Sequence, residues 1–273
     1  VGAIAAIGQQ DFIISNHRGH GQSIAMEIDL NGMMAEIMGK ATGTCKGKGG
    51  SMHIADLDNG NLGANGIVGG GMGMAIGAAL TQKMKNTGKI VLCCFGDGAC
   101  NEGTFHETLN LASIWKLPVI FYSINNFYGI STPIKNVINV DYNYQRASAY
   151  GIPGHFIEDG NDIVAVYEKM QEAVEYVRNG NGPVLVESLT YRWFGHSTSD
   201  PGKYRTKEEV DSWKKKDPIV KFRNYLVDNN LATVQELDEL DVQSKAAVED
   251  AVKFALSSPE PSYESAFEDV FAD

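Results

Sequence analysis

Cysteine is scarce in this 273-residue sequence: Cys45, Cys93, Cys94 and Cys100 are the only four, none forms a C-x-x-C pair, and two are adjacent inside an apolar run. That usage fits a reducing compartment, so a cytoplasmic protein is expected. Positive charge is also in short supply. Against 34 acidic side chains stand 23 basic ones, a formal net charge of -11, which argues against a polyanionic partner and makes nucleic acid an unexpected ligand. A bound phosphate would have to be held by local devices: backbone N–H groups, a helix N-terminus, an arginine or a metal ion. Long apolar runs are missing as well. The longest uncharged stretch, Asn59 to Gln82, contains eight glycines and several asparagines, a poor membrane span, and no membrane association is expected. There is no G-x-x-x-x-G-K-[ST] loop, and the glycine cluster at 66–77 contains no G-x-G-x-x-G after a β-type strand, so the common nucleotide-binding folds are disfavoured. No signal or transit pattern is legible. The text opens at Val1, without methionine, in helix-like residues Ala3 to Ile7, and an N-terminal segment is expected to be missing.

What is present is a hydrophobic fraction of 43%, enough for a sizeable core, and an alternation of short apolar runs with segments of helical period. That alternation predicts an α/β fold with a mainly parallel sheet flanked by helices. Phe12 to Ser15 is a predicted strand, and Gln22 to Met38, with Ile24, Ile28, Met34, Ile37 and Met38 at helical spacing, a predicted helix. Met33, Met34 and Met38 read as core. Gly39 to Gly71 reads as loop. Ile90 to Phe95 is an apolar strand of the kind buried on both faces, Thr104 to Trp115 a helix with a stripe of Phe105, Leu109 and Ala112, and Pro118 to Ile124 the next strand. Thr206 with Glu209 and Thr233 with Glu236 have capping-box spacing, the second helix running to about Ser257 before Pro259 and Pro261. Residues 1–273 are read as one domain, with 206–273 as its helical C-terminal extension.

The most informative pattern is Gly96-Asp97-Gly98-Ala99 at the end of one buried strand and Asn125-Asn126 at the end of the next; 26 residues separate Gly98 from Asn125. One strand–helix–strand crossover accounts for that spacing and brings both ends to the same carboxyl edge, where ligands of open parallel sheets bind. Either turn alone is commonplace; the pair on consecutive strands points to a shared ligand. Mg²⁺ takes octahedral oxygen ligands from one or two protein groups plus phosphate and water, which Asp97, Asn126 and a carbonyl near Tyr128 can supply. Gly96 and Gly98 allow a tight turn whose N–H groups approach a phosphate. A metal-bridged diphosphate is the ligand these groups suit.

Gly96 to Asn126 resembles the thiamine-diphosphate signature. Four further stretches, Asn16-His17-Arg18-Gly19-His20-Gly21, Gly47 to His53, Gly63 to Gly69 and Tyr191 to Ser197 with Asp200-Pro201-Gly202, resemble in this order the E1 α subunits of pyruvate and acetoin dehydrogenase complexes, over Gln9 to Pro261. Met33 to Ile37, Ser51 to Asp56 and Gly66 to Gly71 are more similar to the acetoin branch. The resemblance implies a thiamine-diphosphate-binding fold whose separate β chain carries the glutamate that activates the aminopyrimidine, in an α₂β₂ assembly. Carried over position by position, it implies that Asp97, Asn126 and the Tyr128 carbonyl hold Mg²⁺. Arg18, Gly98 and Ala99 would meet the diphosphate, with His17 and Gly96 among the cofactor-binding positions and Gly66 and Val68 against the aminopyrimidine. His196 would sit over the reactive end of the cofactor as the catalytic residue. His17, His20 and His53 are weaker candidates than His196. The implied reaction cleaves acetoin, or alternatively decarboxylates pyruvate, and passes a two-carbon fragment to a lipoyl group on an E2 protein. A non-catalytic interaction subunit is disfavoured by the intact Asp97, Asn126 and His196. The loop Ser197 to Arg205, with little apolar text, is expected to be mobile without cofactor and to order against the diphosphate, and an isolated half-site is expected to expose apolar surface.

Overall fold

The computed structural model describes Val1–Phe271. Its centre is a six-stranded, all-parallel sheet in the order β2-β1-β3-β4-β8-β7, formed by β1 (Phe12–Asn16), β2 (Asn61–Asn65), β3 (Val91–Gly96), β4 (Val119–Asn125), β7 (Gly154–Ile157) and β8 (Val184–Leu189). A two-residue hairpin, β5 (Tyr128–Gly129) with β6 (Thr132–Pro133), stands apart. The central strands are buried along nearly their whole length, so both faces must be covered. Successive side chains alternate: Ile13, Leu92, Cys94, Ile120 and Val186 face one layer, with α1 (Gly2–Ile7) and α6 (Ile163–Arg178). Ile14, Cys93, Phe95, Phe121 and Leu185 face the other, with α4 (Gly70–Met84) and α5 (Gly103–Ile114). The predicted unit of strand, helix and strand is β3, α5 and β4, with Phe105, Leu109 and Ala112 fully buried. All four cysteines are free thiols, and burial pushes Cys94 up to about 12, an inert core residue.

Three expectations need correction. Gln22 to Met38 is two helices, α2 (His20–Ala25) and α3 (Leu30–Ile37), not one. Glu27 takes φ 61, in the left-handed region, and the Asp29 carboxylate caps α3 by accepting from Asn31 and Gly32 N–H, an N-cap stronger than the pull of helical periodicity. Ile24 and Met38 consequently lie exposed, while Met33 is core. Gly39 to Gly71 is not all loop, because Asn61–Asn65 pairs in parallel with β1 at the sheet edge. Thr206 caps α7 (Lys207–Lys214), but Glu209 does not close the box: its carboxylate accepts the Tyr128 hydroxyl at 2.8 and 3.1 Å instead. The box at Thr233 and Glu236 is complete and opens α9 (Val234–Ser257).

The C-terminal part, α7, α8 (Pro218–Asp228) and α9, is helical as expected. Only Leu237, Ala251 and Ala255 of α9 are buried, and Ile219, Leu240, Val242 and Leu256 are largely exposed in this chain by itself. No helix among the described residues is long and apolar enough to cross a membrane.

Candidate active site

Parallel pairing aligns the strand ends. Asn16 lies opposite Asn65, and Gly96 opposite Ile124, one residue before Asn125. The turns that follow β1, β2, β3 and β4 therefore open onto one carboxyl edge, where a cavity of about 240 Å³ is found. That is below the roughly 300–1,000 Å³ that encloses a whole drug-sized ligand, so the chain by itself surrounds only one end of a large one.

His17, Arg18, Val68, Gly96, Asp97, Gly98, Ala99, Asn126, Tyr128 and His196, all singled out from sequence, line this cavity. Gly66 does not. It lies behind the wall, where a Cβ would stand 3.3 Å from Nε2 of His53. His20 is a loop anchor, its Nε2 2.9 Å from the carbonyl of Ser51. At Gly69 the chain needs its φ of 75, and a Cβ there would meet Thr104 at 2.8 Å, so only glycine turns β2 into α4 beside the cavity.

Asp97 is 1% exposed. Its Oδ1 accepts the peptide N–H of Asn126 at 3.2 Å, whereas its Oδ2 is buried without any partner. Burial pushes its pKa up, an effect that the backbone N–H donors and Arg192 oppose. A buried carboxylate oxygen with nothing to accept from is costly, and either a proton or a bound cation relieves that cost. The Asn126 side-chain oxygen lies beside it, accepting Tyr128 N–H at 3.3 Å. The Tyr128 carbonyl receives only a long contact, 3.5 Å, from Arg192 Nη1, which leaves a lone pair available.

The opposite wall is cationic. Arg18 Nη2 donates to the carbonyl of His196 at 2.7 Å and lies 3.3 Å from its Nδ1. Because a guanidinium only donates, Nδ1 is the accepting nitrogen and the ring proton resides on Nε2. Burial, then Arg18, His196 and Arg192, push the His17 pKa down; burial, then Arg18 and Arg192, do the same for His196. The two rings stand 5.9 Å apart, and His17 Nε2 is buried without a partner. Arg192 donates to the Ile130 carbonyl at 2.6 Å and to the Tyr204 hydroxyl, both neutral acceptors. The loop 197–205 is built from polar contacts: Asp200, held down at about 2, accepts from His196 N–H, Gly202 N–H and the Tyr204 hydroxyl. Two guanidiniums and two imidazoles thus converge with an unsatisfied carboxylate opposite, a local field that offsets the net charge of -11 for an anion carrying its own metal.

Arg192, Asn16 and Asn65 also line the cavity and were missed as site residues. Arg192 lies in the stretch Tyr191 to Ser197 four residues before His196, and only the fold turns its side chain toward the cavity. Asn16 ends the predicted strand β1 and Asn65 the unpredicted strand β2, and an asparagine at a strand end carries no local signal of a ligand.

Fold and site together define a protein with one ligand-binding half at the carboxyl edge of a parallel sheet. The model of the family "Dehydrogenase E1 component" matches residues 1–264, and the chain belongs to that family, whose members use thiamine diphosphate. The chain is 51% identical to the α subunit of acetoin:2,6-dichlorophenolindophenol oxidoreductase from Bacillus subtilis, over 99% of this chain and 81% of that protein. It is 43% identical to the protein of the same description from Cupriavidus necator, with the same coverage. The pyruvate dehydrogenase E1 α subunit of Rhizobium meliloti is 39% identical, over 99% of this chain and 78% of that one.

Proposed function

We propose that this chain is the diphosphate-holding α subunit of a magnesium-dependent E1 enzyme that cleaves acetoin, working in the cytoplasm with a β subunit in an α₂β₂ assembly and with a lipoyl-bearing E2. The observation that carries the site is the unpartnered Asp97 Oδ2 facing the Arg18, Arg192, His17 and His196 wall: a metal-bound diphosphate satisfies both sides at once. In this reading Asp97, Asn126 and the Tyr128 carbonyl hold Mg²⁺. Arg18, Arg192 and His17, with the N–H groups of Gly98 and Ala99, hold phosphoryl oxygens. Val68 meets the ring system, and Gly66 supports it from behind through the loop it shares with Val68.

Bound thiamine diphosphate supplies a carbanion and an electron sink for the bond broken at the substrate carbonyl carbon. The chain's own contribution is to bind, orient and move protons. His196, neutral near pH 7 with its proton on Nε2, donates from that atom toward a developing oxyanion or a phosphate oxygen, while Arg18 fixes the ring through Nδ1 and the backbone carbonyl. Ile67, Val68 and Ile130 line the cavity yet are 72%, 54% and 61% exposed, an apolar rim that a second subunit covers in the assembly, excluding water from the site.

The acetoin assignment rests on the 51% and 43% relatives; pyruvate decarboxylation is the second reading, resting on the 39% relative. Co-expressed α and β chains assayed with each substrate and an artificial electron acceptor separate them. Acetoin turnover is expected to exceed pyruvate turnover, and the reverse order overturns the acetoin assignment.

A further inference from the structure

Glu187 lies on β8, fully buried and absent from the cavity lining. In the sheet it stands opposite Ser123 of β4, and Asn125 follows two residues on, with its side chain on the same face. Its Oε1 accepts from Asn125 Nδ2 at 2.7 Å and, at 3.4 Å, from Asn143 Nδ2; its Oε2 accepts Tyr144 N–H at 2.8 Å. All three are neutral donors. A buried carboxylate satisfied only by neutral N–H groups is an expensive way to hold two strands together, and what it does here is orient an amide.

With Nδ2 of Asn125 committed to Glu187, Oδ1 of the same amide must point the other way, where it accepts Phe127 N–H at 2.9 Å. That bond closes a turn in which Phe127 takes φ 70, a left-handed conformation costly for an aromatic residue. The turn in its place sets the Asn126 peptide against Asp97 Oδ1 and aims the Asn126 oxygen and the Tyr128 carbonyl. Were the Asn125 amide reversed, Nδ2 would face the Phe127 N–H, donor against donor, and the turn would open.

We propose that Glu187 is the positioning residue of the metal site, acting through the orientation of the Asn125 amide to hold the Asn126–Tyr128 turn ready for a divalent cation. The proposal rests on the reading of Asp97, Asn126 and Tyr128 as the metal ligands.

The test is magnesium titration of the α/β assembly at fixed thiamine diphosphate, followed by calorimetry and, separately, by activity. Glu187→Gln keeps the volume but sets an NH₂ against either the asparagine amides or Tyr144 N–H. It is expected to weaken magnesium binding roughly 10–100-fold, the range for residues that orient metal ligands, with kcat recovered at saturating magnesium. Asn125→Ala cuts the same hydrogen bond from the other side, giving a comparable shift and serving if Glu187→Gln does not fold. Asn143→Ala, which spares Asn125, leaves the midpoint in place. Unchanged magnesium midpoints in both Glu187→Gln and Asn125→Ala, with only thermal stability lowered, overturn the proposal, as does an equal shift in Asn143→Ala. Asp97→Ala run alongside keeps the two ideas apart: if it too leaves magnesium binding intact, the metal-site reading itself has failed.

Discussion

The peptide N–H of Asn126 donates to Oδ1 of Asp97 across two strand ends, and the same carboxylate keeps Oδ2 buried and unpartnered. One oxygen ties the β3 and β4 turns together; the other is the one assigned to the cation in the proposed function. Asp97→Ala removes both functions. Metal-dependent binding of thiamine diphosphate to the α/β assembly is expected to fall by more than the roughly 10–100-fold that outer-shell changes cost, with the far-UV spectrum retained. Unchanged affinity in a calorimetric titration contradicts the assigned role.

His196 touches the cavity from the loop after β8, its Nδ1 facing Arg18 and its Nε2 carrying the proton. His196→Ala should spare most cofactor affinity, because Arg18 and Arg192 remain, and lower kcat by about 10²–10⁴, the usual contribution of a positioned proton donor or acceptor. Steady-state kinetics beside a binding isotherm distinguish the two; a loss confined to affinity would make His196 a binding residue.

Arg192 donates only to neutral acceptors and is free to pair with an anion. Arg192→Ala is expected to cost about 1.5–3 kcal/mol of diphosphate binding, one to two orders of magnitude in Kd. Arg192→Lys keeps the charge but not the planar fork and restores only part of it. The wild-type affinity should weaken with salt more steeply than that of Arg192→Ala, measured between low and physiological ionic strength.

Burial and neighbouring cations hold His17 and His196 below the ordinary histidine pKa in the folded protein. The unfolded chain therefore binds more protons than the folded one between those lowered values and about 6.5. Their contribution to stability is present above that unfolded value and is lost as pH falls through the folded values. Buried Asp97 and Glu187, pushed up by burial, act in the opposite sense, so the informative quantity is a difference. The gap in Tm between wild type and His17→Gln is expected to shift in favour of the variant as pH drops below about 6.5. A gap independent of pH shows that His17 does not titrate abnormally.

Glu36 is fully buried and accepts four backbone N–H groups, from Cys45, Gly47, Gly49 and Gly50, at 2.8–2.9 Å. It is the post around which the loop leading to His53 is wound, and at Gly43 a Cβ would stand 2.3 Å from its Oε2. Glu36→Ala leaves those donors unpaired and should destabilise the protein by about 3 kcal/mol or more. The loss should appear as a lowered Tm together with faster tryptic cleavage at Lys46 and Lys48; protection at those lysines equal to wild type would refute the loop-holding role.

Where the text carries its own physics, fold and site were legible in it. Ile90 to Phe95 and Pro118 to Ile124 are too apolar to be anything but doubly covered strands, and the Phe105, Leu109 and Ala112 stripe fixes the helix between them. Their ends bring Asp97 and Asn126 to one edge by chain geometry alone. Gln22 to Met38 misled because periodicity records which side is apolar, not whether the backbone runs unbroken; the left-handed Glu27 and the Asp29 cap break it. Asn61–Asn65 has poor strand text and becomes β2 only because β1 offers it hydrogen-bonding partners.

The sequence by itself determined the α/β class, the central strands β3 and β4 with the helix between them, and the meeting of Asp97 and Asn126 at one strand edge, because burial period and crossover length are local properties of the chain. Only the tertiary structure decided that Asp97 Oδ2 is left without a partner, that Arg18 and Arg192, 174 residues apart in the chain, meet His196 on one wall, and that Glu187 stands behind Asn125. Those are statements about which donors reach which acceptors after the chain has closed. No local pattern encodes them, since each depends on two segments whose separation in sequence says nothing of their distance in space.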